Sequence, residues 1–204
     1  MRLILAASVM VLASAGLAHA ETRNVSGFTR VSARAGTDVQ VTVGSGFQVE
    51  VTGRDAARIT TRVEGGTLVV EPVRGWSWRG GRNANVRVTL PRVDALEASS
   101  GSDLVATGLN ASAISLSSSS GADLRVSGTC SSFEAEASSG SDLNAQELRC
   151  ENGSVEVSSG ADARVYATSR LDVDASSGGG VLAYGNAGIG DVSLSSGGSL
   201  RRAN

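Results

Sequence analysis

A Ser-Ser-Gly unit returns six times in the second half of the chain: SSGSDL at 99–104, SSGADL at 119–124, SSGSDL at 138–143, SSGADA at 158–163, SSGGGV at 176–181 and SSGGSL at 195–200. One copy would suit a linker. Six copies whose glycines are spaced by 20, 19, 20, 18 and 19 residues form a structural period, the mark of a solenoid whose units bury their apolar faces only against one another. The residue three after each glycine is Leu104, Leu124, Leu143, Ala163, Val181 or Leu200, and five before it stand Leu96, Leu116, Ala135, Val155, Val173 and Val192. Apolar and polar residues alternate on both sides, the period-two pattern of strands with one buried face.

Each unit therefore reads as strand, corner, strand and a looser return such as TGLNASA or SGTCSS. Stacked in parallel at about 4.8 Å, such units build a parallel β-helix with about 19–20 residues per repeat. The corner glycine answers either a positive φ or a close backbone approach, and the serines can bond to neighbouring backbone or to the next rung's serine.

The N-terminal portion lacks the unit but reads as strand in segments such as FTRVSARAG, TDVQVTV, TLVVEPV and NVRVTLP. It is expected to form a lead-in sheet or irregular first coils that cap the solenoid. The leader MRLILAASVMVLASAGLAHA has one basic residue, a short apolar run, and Ala18 and Ala20 ahead of Glu21, the pattern of a cleaved secretory signal peptide. The chain thus divides into a leader at 1–20, a β-rich section at 21–95 and β-helix repeats at 96–204, with 21–204 forming one continuous domain. No later stretch approaches the roughly 18 apolar residues of a membrane helix. The protein is expected in the periplasm, or secreted or at the cell surface, without a membrane span.

Aromatic residues make up 3% of the chain and glycines number 26, so burial must come from many small apolar residues. The section 21–95 carries a net charge of +4 and 96–204 one of −7. The chain is net acidic overall and reads as exported, so no nucleic-acid partner is expected. Cys130 lies nine residues after Gly121 and Cys150 ten after Gly140. They occupy near-equivalent positions on adjacent coils, within disulfide reach, and a disulfide between them is expected in an exported protein.

GFTRVSARAGTDVQVTVGSGFQVEVTG, then GGTLVVEP, then VTLPRVDALEASSGSDL running into repeated SSG corners, resembles the bacterial head GIN domain family, labelled as an auto-transporter adhesin head. The resemblance covers about Asn24 to Leu200. It implies a right-handed parallel β-helix in the cell envelope and no established activity. The Arg- and Trp-containing insert near Trp76 and Trp78 departs from the family's plain strand connection.

The only histidine, His19, lies in the leader and there is no lysine, which excludes His-based triads, His-ligated metals and Schiff-base chemistry in the processed chain. Two features remain. Asp103, Asp123, Asp142 and Asp162 stand two residues after successive corner glycines, a column that could hold Ca2+ or bond to corner amides. VRGWSWRGGRN, residues 73–83, sets Trp76 and Trp78 among Arg74, Arg79 and Arg82, a pattern that stacks on sugars or meets an anionic surface, or else folds onto the solenoid end. The expected function is a non-enzymatic adhesin-like or envelope interaction module that meets a cell-surface glycan or envelope protein, with no cofactor apart from the Ca2+ that the column could hold. The alternative is a polysaccharide-acting carboxylate enzyme on the same scaffold. Arg201 and Arg202 after the last corner would oppose end-to-end stacking and favour a monomer.

Overall fold

Alternating small apolar residues make strands here, and the fixed repeat stacks those strands in register. The computed structural model describes residues 20–76 and 82–203. It is 68% strand and 2% helix, a parallel β-solenoid of about five turns.

The regular coils are built by β8 (Ala95–Ser99), β9 (Asp103–Ser119), β10 (Asp123–Ser138), β11 (Asp142–Val157), β12 (Asp162–Ala175), β13 (Gly180–Tyr184), β14 (Gly188–Leu194) and β15 (Ser199–Arg202). β10 pairs in parallel with β9 and β11, setting Leu104, Leu124 and Leu143 above one another inside and Asp103, Asp123 and Asp142 outside. The supposed looser return is a correction to the sequence reading. TGLNASA and SGTCSS lie within the single long strands β9 and β10, because rung-to-rung bonding continues around the bend with only local register shifts.

The corner is a pair of left-handed residues. Ser100, Ser120, Ser139 and Ser159 have φ of 55–56°, and the following Gly101, Gly121, Gly140 and Gly160 have φ of 66–69°. A Cβ on any of these glycines would meet nothing within 4 Å, so positive φ is the reason for glycine there, not close approach. Corner amides bond backbone carbonyls of the next rung, as from Gly121 N–H to Ser139 O at 3.1 Å. Serine hydroxyls act inside the coil instead, where buried Ser102 bonds the Ala33 carbonyl at 2.8 Å and buried Ser141 the Ser118 carbonyl at 2.8 Å.

The N-terminal coils join the same stack in an unexpected order. β2 (Arg30–Arg34) lies between β8 and β6 (Thr67–Pro72), and β3 (Asp38–Val43) between β9 and β7 (Asn85–Leu90), all in parallel. The chain therefore enters at the second coil, builds the first, and crosses back to the third. RAGTDV at 34–39 is a disguised corner, with Ala35 at φ 54° and Gly36 at φ 77°. β6 ends at Pro72 and β7 begins at Asn85, so the chain between them runs through the Arg/Trp segment and has no SSG unit. β1 (Glu21–Arg23), β4 (Gln48–Thr52) and β5 (Ile59–Glu64) add antiparallel strands that cover this end, β4 against β7 and β5 against β6.

At the other end, β14 and β15 each pair on one side only, and Val192 and Leu194 are 45% and 49% exposed. Arg202 takes the register position of the core residues Ala183 and Val165, and its guanidinium donates to the Ala187 carbonyl at 2.9 Å. It is tied to the last rung. Arg201 sits beside Leu182 in the neighbouring outward register position.

Cys130 and Cys150 pair across β10 and β11, are buried, and form a disulfide with Cα atoms 4.5 Å apart.

Candidate functional site

The register builds a longer acidic column than the SSG units alone reveal. Asp38 pairs with Asp103, so Asp38, Asp103, Asp123, Asp142 and Asp162 stand on successive rungs. Arg82 closes one end, with Nη1 3.1 Å from Asp38 and 3.3 Å from Asp103, and it also donates to the Gly101 carbonyl at 2.9 Å. Arg164 approaches Asp142 at 3.6 Å. The aspartates do not bond to corner amides, which backbone carbonyls already occupy. Among the described residues no three His, Cys, Asp or Glu side chains converge closely enough to hold a metal ion.

Burial, and after it the charges of Asp103 and Asp142, raise the Asp123 carboxyl above its ordinary value of 3.8. Asp38 is raised as well, first by burial, although Arg82 opposes the shift. The folded chain thus binds more protons than the unfolded chain between the ordinary and the raised value. Stability is full below the unfolded value and falls as pH climbs through the folded one. Solvent screening holds the effect to about 1 kcal/mol. Asp123→Asn should therefore raise the melting temperature at neutral pH by roughly 2–4 °C, and that gain should vanish near pH 4. Thermal denaturation across that range checks it, and a gain independent of pH would show that ionisation of the Asp123 carboxyl is not the cause.

The structure divides the Arg/Trp insert. Trp78 and Arg79 lie outside the described residues. Trp76 is partly buried, with the Arg58 guanidinium 4.9 Å from its ring centroid, and its Nε1 is buried without a hydrogen-bond partner among the described residues. Arg74 is exposed and lines, with Trp76 and Glu71, a shallow cavity of about 210 Å3. Arg82 leaves this group for the acidic column, so the two features that the sequence singled out meet at this residue.

A wider concavity lies elsewhere, over the bend where β9 to β12 turn after their first strand segment. It is a cleft of about 750 Å3 crossing successive rungs, with Arg92 and Asp94 at one end and Arg170 and Asp172 at the other. Each arginine is matched: Arg92 Nε lies 2.8 Å from Asp94, and Arg170 Nη2 lies 2.8 Å from Asp172 and 3.0 Å from Asp191. Bonding to Arg170, and then the Asp191 amide, holds the Asp172 carboxyl below the usual range. Between the ends lie Ser, Asn and Ala side chains with Glu134. Gly153 lies on the floor because a Cβ there would strike the Phe133 ring, which fills the interior beneath it.

The sequence profile described as "Putative auto-transporter adhesin, head GIN domain" matches residues 27–187. The chain belongs to the head GIN domain family. Among solved structures it is similar to a "putative adhesin" from Bacteroides fragilis at 15% identity and a TM-score of 0.72, with 93% of this chain and 98% of that one covered. A "putative lipid binding protein" from Parabacteroides distasonis, also at 15% identity, gives a TM-score of 0.54, and a "putative adhesin" from Parabacteroides merdae, at 11%, gives 0.52, with the same coverage. At these identities the likeness shows the fold alone. No curated protein matches the chain.

Sequence reasoning missed two parts of this head GIN surface. Asp38 was hidden because its corner reads RAG instead of SSG, although the shared Gly-x-Asp spacing could have disclosed it. The cleft was hidden because its residues occupy the segments read as loose returns, where no motif marks them.

Proposed function

We propose that this head GIN protein is exported and acts as a non-catalytic, adhesin-like module that holds a cell-surface glycan or an envelope protein. The leader at 1–20 supports export, and the adhesin names carried by the family and its structural relatives support a binding role. The observation that carries the reading is the cleft. It is open, spans several coils, and carries side chains on Ser112, Asn152 and Ser154 that make no hydrogen bond within the described protein, so they are free for a partner.

The carboxylate-enzyme reading asks for a general acid whose pKa is raised, set beside an ionised partner. Asp172 in the cleft is shifted the other way. Asp123 is raised, but it belongs to a uniform column on another face whose rungs repeat the same carboxylate without a distinct nucleophile. Binding without turnover fits this arrangement better.

A glycan array probed with the processed protein, followed by mass spectrometry of the bound glycans, tests the reading. Retention without shortened products is expected. New reducing ends would establish the enzyme instead, and loss of retention in Trp76→Ala/Trp78→Ala would move the contact to the Arg/Trp insert.

A further inference from the structure

The cleft has a repeat along its length, and that repeat restricts what can fill it. Two outward columns run along its floor. One carries Ala113, Ser132, Asn152 and Arg170 on successive rungs, and the other carries Ser115, Glu134, Ser154 and Asp172. With the Asp94 rung, whose carbonyl accepts from the Ser115 amide, the floor extends about 19 Å at about 4.8 Å per step. A linear chain of pyranose rings advances by nearly the same distance per ring, so each ring can meet the same kind of floor.

The polar groups are those that recognise hydroxyls. Serine hydroxyls and the Asn152 amide both donate and accept, the paired carboxylates accept, and the guanidinium groups donate. Exposed Ala113 and half-exposed Ala111 offer methyl surface to the C–H faces of sugar rings. Both arginines are already neutralised by carboxylates, and Glu134 adds a negative charge between them. An anionic polymer would meet no unmatched positive charge and two carboxylates in excess, Glu134 and one of the two that Arg170 holds.

We infer that the cleft binds a neutral linear glycan laid along the solenoid axis, one sugar ring to a rung, with its ends at the Arg92–Asp94 and Arg170–Asp172 pairs. The inference rests on the binding reading above and adds the ligand class and its place. The floor presents no exposed aromatic ring, so affinity comes from many weak contacts and must rise with chain length.

Isothermal titration of the full processed chain with cello-, xylo- and chito-oligosaccharides, from disaccharide to hexasaccharide, and with oligogalacturonates as the anionic counterpart, tests this. At least one neutral series should bind with an affinity that climbs with each ring and levels off once the cleft is filled. Ser154→Trp, at an exposed floor position, should weaken that binding about tenfold or more. Asn152→Ala removes an exposed side chain that bonds nothing within the described protein, so it keeps the fold and should weaken binding roughly threefold or more. Arg125→Ala on the acidic-column face should change nothing.

Binding that ignores both cleft variants, or that prefers the galacturonates, overturns the inference while leaving an adhesin. Failure of every neutral series alongside retention of another ligand on the array overturns it in the same way. Retention of no glycan and no envelope protein would overturn the adhesin reading with it.

Discussion

Gly128→Ala should destabilise the protein by roughly 3–5 kcal/mol, whereas Gly121→Ala on the same coil should cost about 1–2 kcal/mol. Both glycines have positive φ, at 140° and 68°, but their surroundings differ. Gly121 lies at an SSG corner with nothing within 4 Å of a built Cβ, and its neighbour Ser120 already holds a side chain at φ 55°. Alanine there meets only the left-handed penalty. Gly128 pairs with Leu109 on the adjacent rung, and a Cβ would overlap the Leu109 carbonyl oxygen and lie 2.6 Å from its amide nitrogen. Backbone cannot rotate away as a side chain can, so relief would require two rungs to separate and break their ladder bonds. The larger loss corresponds to a fall in melting temperature of roughly 10 °C or more. Equal losses at the two positions, measured by urea or thermal unfolding, would mean that the second bend is more pliant than its packing implies.

That contrast also shows how far the sequence could be read. The SSG corner is visible because one conformational demand, two consecutive left-handed residues, recurs at a fixed period and selects the same small residues each time. The inward columns are visible for a similar reason, since stacking places equivalent residues in one environment. The second bend is made from different residues on each coil, SGTC in one and TGLN in another, because register shifts let different sequences turn the same way. The order of the first coils was hidden more deeply. β2 sits between β6 and β8, and period-two alternation gives the face of a strand but not its neighbour.

The candidate site divides along the same line. The aspartate column followed from the period, and the structure lengthened it by Asp38 once Ala35 and Gly36 proved to be a corner. Arg82 could be singled out from its Trp-rich segment, but its partners are on the next two coils, and only the folded stack brings them within reach. The cleft depends on Arg92 and Arg170, which are far apart in sequence and joined in no motif. They stand at opposite ends of one concavity because the rungs between them bend at the same place.

Replacing both cysteines, Cys130→Ala/Cys150→Ala, should lower stability by about 3 kcal/mol, and dithiothreitol should bring the unaltered protein to nearly the same level. The disulfide closes a segment with a sequence separation of 20 residues, for which the chain-entropy account gives about that magnitude. Packing adds little to the loss, because Cys130 pairs with Ala111 and Cys150 with Ala167, so the interior column already accommodates alanine on both sides. Solenoids also add a consequence absent from globular folds. Their stability is close to a sum of coil and interface contributions, so removing the one covalent link between β10 and β11 weakens a particular interface. The double variant should lose hydrogen-exchange protection first in β10 and β11, and its thermal transition, lowered by roughly 6–12 °C, should broaden as the coils on either side begin to melt separately. A sharp transition at the original temperature would show that backbone ladders alone hold these coils and that the disulfide contributes nothing to their union.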